Sequence, residues 1–150
     1  MKYSFYKDEV IIPSGNYRIG DDRFYPEETP IITVELSAFS IDVTEVTNRQ
    51  FQQFVTATGY VTRAERGLPE KQFNHLPETL RAPGSAVFTP HLPGAESTLT
   101  NWWRFVEGAS WRTPFGPESS IHDKEHHPVV HVAFEDALAY AAWRGRRLPT

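Results

Sequence analysis

Cysteine is absent from all 150 residues. That absence excludes disulfides, thiolate-held metal ions and a cysteine nucleophile anywhere in the chain. Long apolar runs are also missing: nothing approaches the roughly 18 residues a membrane-spanning helix needs. Residues Met1 to Val10 include Lys2, Lys7, Asp8 and Glu9 and hold no apolar segment of signal-peptide type. No membrane association is expected, and the cytoplasm is the default location. Clustered positive charge is lacking as well. With a net charge of -4 and a pI near 5.8, the chain has no basic face to neutralise phosphates, so nucleic acid is not an expected partner. There is no internal repeat and no low-complexity tract.

What is present suits one globular domain. A chain of this length can hide roughly 70% of the surface it exposes when unfolded. Twelve prolines and nine glycines predict many turns and irregular segments. Val10-Ile11-Ile12, the turn residues Pro13-Ser14-Gly15-Asn16, and Tyr17-Arg18-Ile19 predict a short strand, a tight turn and a return strand. Ile31 to Leu36, rich in β-branched residues, predicts another strand. Phe39 to Val43 continues the alternation and puts Phe39, Ile41 and Val43 on one face.

The clearest element is a helix over 48–58. Thr47 can cap its free amides while Gln50 reaches back three residues later, Phe51, Phe54 and Val55 form an apolar stripe, and Gly59 stands where a left-handed residue is expected. Residues 66–101, with Pro69, Pro77, Pro83, Pro90 and Pro93 and no sustained period, predict a long irregular excursion. Val129 to Val132 predicts a short buried strand. Glu135 to Trp143 predicts a second helix with Ala137, Leu138, Ala141 and Trp143 facing inward, ended by Gly145. The fold class is therefore α+β, with short strands, two helices and much coil. The closing Pro149-Thr150 pair carries no terminating signal, so the domain is expected to be truncated.

Several stretches, in order, resemble the formylglycine-generating-enzyme or sulfatase-modifying-factor family. Ile12-Pro13-Ser14-Gly15-Asn16-Tyr17-Arg18-Ile19-Gly20 is similar to its opening "IPGGxFxMG". Phe39 to Asn48, with Phe51 and Phe54, matches "F-x-hydrophobic-D-x-x-E-V-T-N-x-x-F-x-x-F" almost throughout. Thr58 to Glu65 resembles "TGYxTEAE", with Arg63 replacing an acidic residue. Trp102-Trp103, then Gly108 to Arg112 and Pro114 to Ile121, is similar to "WW…GAxWRxPxGPxSxI". His127 to Val132 and Asp136 to Thr150 resemble "HPVVHVSWxDAxAYAxWxGKRLPT", with Ala133 in place of a serine that would cap the second helix.

The resemblance covers residues 12–150 apart from the excursion. It implies that residues 1–150 are the N-terminal portion of a single domain with the irregular, C-type-lectin-like fold of that family. It also implies a parent that oxidises the cysteine of a Cys-x-Pro-x-Arg motif in an unfolded sulfatase polypeptide to Cα-formylglycine with O2, as a monomer. Copper(I), held by two cysteines, and Ca2+ are the implied cofactors of the parent. Thiolates are the soft ligands that Cu(I) prefers. The resemblance places both cysteines and the calcium sites in the C-terminal part of the domain, so this chain is expected to hold no catalytic or metal-binding residue and to be inactive alone. Its implied contribution is one wall of a substrate groove, for which Trp102, Trp103, Trp111 and Arg112 are the candidates, with Ala64 near the entrance. Broad rigid tryptophans suit contact with an extended peptide.

Plainer readings stand beside these. Four tryptophans in a turn-rich chain can simply fill the core, and Arg112 can anchor loop carbonyls or pair with an acid such as Glu118. His122, His126, His127 and His131 invite a metal-site reading, but Pro128 and Val129-Val130 disfavour the helix that would bring 127 and 131 together. Asp42 and Glu45 are expected to satisfy backbone amides, and Glu135 and Asp136 to complement the positive end of the second helix. Two alternative functions remain: a non-catalytic binding or structural member of the same family, and a relative of the iron-dependent sulfoxide synthases, for whose helical partner domain residues 1–11 leave no room.

Overall fold

Pro13 has no backbone N–H to give to a neighbouring strand, and the first strand ladder stops there. The computed structural model describes residues 9–90 and 102–149. They fall in two compact units, residues 1–45 and 46–150.

The first unit is a ribbon. Strand β1 (Glu9–Ile12) pairs antiparallel with β4 (Phe39–Asp42), and β2 (Gly15–Ile19) with β3 (Ile32–Leu36). The expected return of the first strand on the second does not occur. Glu9 faces Asp42 and Ile19 faces Ile32, so no residue is gained or lost on either side across the break. The two ladders are halves of one long pairing, interrupted at Pro13-Ser14 and Ser37-Ala38. Tyr17 braces the interruption by donating its hydroxyl to the Pro13 carbonyl at 2.7 Å. Tyr17 faces Val34 and Val10 faces Ile41, so each ladder has an apolar cross-strand pair. Phe39 and Ile41 do share a face of β4, and Val43 lies just past its end.

The second unit is built around α1 (Asn48–Thr58). The Thr47 side chain accepts from the Gln50 N–H, the Gln50 side chain accepts from the Thr47 N–H, and Gly59 closes the far end in the left-handed region. The expected stripe is the core: Phe51, Phe54 and Val55 are buried with Trp111 and Tyr140. Phe51 meets Trp111 edge-on at 5.3 Å and stacks on Tyr140 at 5.9 Å, the offset and T-shaped arrangements that ring quadrupoles favour.

The excursion carries more regular structure than its composition predicts. Single-turn helices α2 (Arg63–Arg66), α3 (Glu70–Phe73) and α4 (Glu78–Arg81) precede β5 (Gly84–Phe88), which pairs with β6 (Trp103–Glu107). Pro69 and Pro77 stand immediately before α3 and α4. These two prolines thus begin short helices inside a segment expected to be irregular. The remainder of the excursion, 91–101, lies outside the described residues.

Helix α5 is Phe134–Trp143. Its buried side is Asp136, Tyr140 and Ala141, and Leu138 is 45% exposed. The inward assignment of Leu138 is therefore incorrect: the broad Tyr140 ring, one turn after Asp136, takes the core position. The strand expected over 129–132 is also absent. Pro128 makes an isolated bridge to Thr47, and His131 adopts φ 57°, a conformation no strand accommodates. Among the described residues no helix is long and apolar enough to cross a membrane.

Candidate functional site

Trp111 and Arg112 are neighbours in sequence with opposite fates, and a tight turn separates them. Ser110 and Thr113 exchange backbone hydrogen bonds at 3.2 and 3.1 Å, their hydroxyls meet at 2.9 Å, and Thr113 donates its hydroxyl to the Gly108 carbonyl. The turn drives Trp111 into the core, where it has no exposed surface, and leaves Arg112 outside. The Trp111 indole N–H finds no acceptor among the described residues. Arg112 then folds back over the indole face, its guanidinium carbon 4.2 Å from the ring centroid, a cation–π contact.

Arg112 Nε donates to Glu65 Oε1 at 3.3 Å. The acid that pairs with Arg112 is thus Glu65 rather than Glu118. Glu65 belongs to α2, whose start is a second capping box: its other oxygen accepts from the Thr62 N–H and hydroxyl, each at 2.8 Å, and Thr62 is fully buried. The pattern Thr62-x-x-Glu65 is visible in the sequence as an S/T-x-x-E signature. Its link to Arg112, 47 residues away, is not.

The same short helix is fastened from behind by α5. Asp136, fully buried, accepts the Tyr60 hydroxyl at 2.9 Å, the Arg63 N–H at 3.1 Å and the Ala133 N–H at 2.7 Å. Ala133 has no oxygen with which to cap α5, so Asp136 satisfies that helix end from within. Burial first, and then the hydrogen bond to the anionic Asp136, push the Tyr60 phenol up from its ordinary 10.0 to about 12. Glu135, next along, accepts from Arg63 and Arg66, each at 2.7 Å. The hydrogen bond from Arg63 holds its carboxyl below the ordinary 4.5. Glu135 and Asp136 thus serve the helix start, as the sequence suggests, and also lock α2 onto α5.

Ala64 sits between these anchored neighbours and is itself buried. It lines a cavity of about 310 Å3 whose walls include Leu80, Ala86, Phe105, His131 and Val132. The His131 ring stands 2.8 Å from the Pro114 carbonyl. His122 pairs with the adjacent Asp123, and among the described residues no three His, Asp or Glu side chains converge as a metal site would require.

The other two tryptophans lie apart from Trp111, at the end of the β5–β6 hairpin. Trp103 is 60% exposed, Trp102 less so, and each ring lies 5.5 Å from Phe88. The result is a small open aromatic surface. The candidates therefore divide: Trp102 and Trp103 present surface, Arg112 presents a stacked guanidinium, and Trp111 and Ala64 are packed behind.

A family model described as the sulfatase-modifying factor enzyme 1-like domain matches residues 2–150. The formylglycine-generating enzyme of Mycobacterium tuberculosis is 49% identical over 142 residues, covering 94% of this chain and 48% of its own. That of Thermomonospora curvata is 49% identical over 149 residues, covering 96% of this chain and 46% of its own. A Bos taurus protein named inactive C-alpha-formylglycine-generating enzyme 2 is 39% identical over 146 residues, covering 94% and 45%. The chain spans about half the length of the curated relatives it matches.

Proposed function

We propose, for a chain that belongs to the sulfatase-modifying factor enzyme 1-like family, that it is the N-terminal portion of a formylglycine-generating enzyme. The parent converts the cysteine of a Cys-x-Pro-x-Arg motif in an unfolded sulfatase to Cα-formylglycine with O2, acting as a monomer in the cytoplasm. The observation that carries this reading is the 49% identity to two proteins of that name over nearly the whole chain.

The division of labour follows from what the residues here can do. Copper(I) on a thiolate pair is the cofactor the resemblance implies, and it would supply the oxygen chemistry. This chain has no cysteine, so its residues do not supply the thiolate pair that ion needs. The role left to these residues is binding. Trp102 and Trp103 offer flat faces to an extended chain at low rotamer cost, Arg112 offers N–H donors, and Trp111 and Ala64 set the shape of the wall from beneath. The chain alone is inactive in this reading.

A second reading, a non-catalytic member of the family, has one specific support: the 39% identity to a relative named as inactive. Incubating the parent polypeptide in air with a Cys-x-Pro-x-Arg peptide and following the cysteine by mass spectrometry separates the two. Conversion to the aldehyde is expected. Binding of the peptide without conversion would establish the second reading instead.

A further inference from the structure

We propose that Glu65 is the positioning residue for Arg112, setting its guanidinium so that the two Nη groups meet a main-chain carbonyl of the bound peptide. The inference rests on the reading of Arg112 as part of the substrate wall, and takes it one step further by naming what aims it and what it meets.

An arginine carries five N–H donors in a rigid fork. Here one of them, on Nε, is taken by Glu65 Oε1 at 3.3 Å, and the plane is held against the Trp111 ring at 4.2 Å. The four donors on Nη1 and Nη2 make no hydrogen bond among the described residues, and the side chain is 48% exposed. Two restraints on one end and none on the other is an arrangement suited to delivery. A free arginine would give up considerable rotamer entropy on binding, and this one has already surrendered it.

Glu65 is itself hydrogen-bonded through both carboxylate oxygens. Its second oxygen is engaged twice by the buried Thr62, through the backbone N–H and the hydroxyl, and the next backbone N–H, that of Arg63, is bound to buried Asp136. The path from the α5 start to the Arg112 fork is therefore a series of short, satisfied contacts through a helix of one turn. Electrostatics selects the ligand atom. Glu65 neutralises Arg112, so a second carboxylate would be drawn to the fork and repelled by Glu65 at close range. An uncharged carbonyl oxygen meets the donors without that conflict, and an extended peptide supplies one at every residue.

The test uses the parent polypeptide and compares Glu65→Gln, Arg112→Lys and the double variant with a Cys-x-Pro-x-Arg peptide. Glutamine can keep an oxygen on the Thr62 N–H while turning an N–H2 toward Arg112, so it cuts the link and spares much of the cap. Each single variant is expected to raise KM about tenfold, the effect of losing one charge-assisted hydrogen bond, with kcat changed by less than about twofold. The double variant is expected to be no worse than either single, because the two act through one contact. Thr47→Ala, which weakens the cap of α1, provides the control for simple destabilisation and leaves KM unmoved. Independently of any peptide, the Nε–H resonance of Arg112 in a 15N spectrum is expected to shift and lose exchange protection in Glu65→Gln. An unchanged Arg112 resonance would overturn the positioning role, and additive KM effects would overturn delivery through one contact. If the unaltered parent leaves the peptide unbound and unconverted, the proposed function fails and delivery to a peptide fails with it. The resonance alone then decides whether Glu65 sets Arg112.

Discussion

Tyr60 donates its hydroxyl to Asp136 at 2.9 Å across 76 residues of sequence, and the carboxylate that receives it also holds the Arg63 N–H at the start of α2 and the Ala133 N–H just before α5. A single buried anion thus fixes the segment after α1 and both helix starts. Because Asp136 is fully buried, its charge is tolerable only while those donors surround it.

Removing the donors one at a time and the acceptor all at once will have different costs. Tyr60→Phe is expected to lower stability by about 1–2 kcal/mol, the loss of one hydrogen bond to a charged group. Asp136→Asn is expected to cost about 3 kcal/mol or more, since its amide N–H2 turns toward donors that need an acceptor. Guanidinium unfolding of both variants checks the order, and equal midpoints would contradict it. The pH dependence has a matching sign. The unfolded chain releases the Tyr60 proton near 10.0, and the folded chain keeps it to about 12. Between those values the unfolded state binds fewer protons, so stability falls as pH rises through the window. Tyr60→Phe is expected to flatten that alkaline limb.

Glu135 gives the opposite limb. Its carboxyl is held below 4.5 chiefly by the hydrogen bond from Arg63, so its contribution is present above that value and fades as pH falls through the lowered one. Glu135→Gln is expected to remove this part of the acid dependence. Added salt is expected to shrink the difference between the two proteins, because the pair with Arg66 lies at the surface. Unfolding followed across acidic pH at two ionic strengths provides the measurement.

Two glycines differ in both backbone strain and crowding. Gly59 (φ 67°, ψ 20°) is in the left-handed helical region and a methyl group there meets open space, whereas Gly67 (φ 73°, ψ -172°) is in a region essentially only glycine adopts, and a methyl group there meets the Arg81 carbonyl and the Ala82-Pro83 backbone. Gly59→Ala is expected to cost about 1 kcal/mol. Gly67→Ala is expected to cost about 3 kcal/mol or more, because backbone must move to admit the side chain. Thermal melts of the two alanine variants would show the gap, and similar melting temperatures would refute it.

Legibility in the sequence followed the reach of each signal. Helix α1 was readable in full because its cap, stripe and terminating glycine all lie within Thr47 to Gly59. The ribbon's strands were readable but their pairing was not: Pro13 looks like a reversal when it is only a pause, and the true partners lie near residue 40. The apolar spacing of Ala137, Leu138 and Ala141 turns Leu138 inward, while the aromatic packing of Phe51 and Phe54 selects the flat ring of Tyr140. At the site, residue type marked Trp111 and Arg112 together, but only the Ser110–Thr113 turn decides which of them faces inward. Glu65 was unreadable as a partner of Arg112, since no periodicity spans the intervening helices and hairpin.

A pairing that keeps one register across a proline break behaves like a zip with a missing tooth. Since Pro13-Ser14 sits opposite Ser37-Ala38, with no ladder bonds to lose, a residue inserted at Ser37-Ala38 is expected to bulge into the gap and leave both flanking ladders aligned, whereas one at Pro13-Ser14 also disturbs the Tyr17 brace. The same insertion beside Val10 or Tyr17 would turn every following side chain to the other face. The interruption is therefore where an added residue is expected to be tolerated, and the paired segments on each side are where it is not.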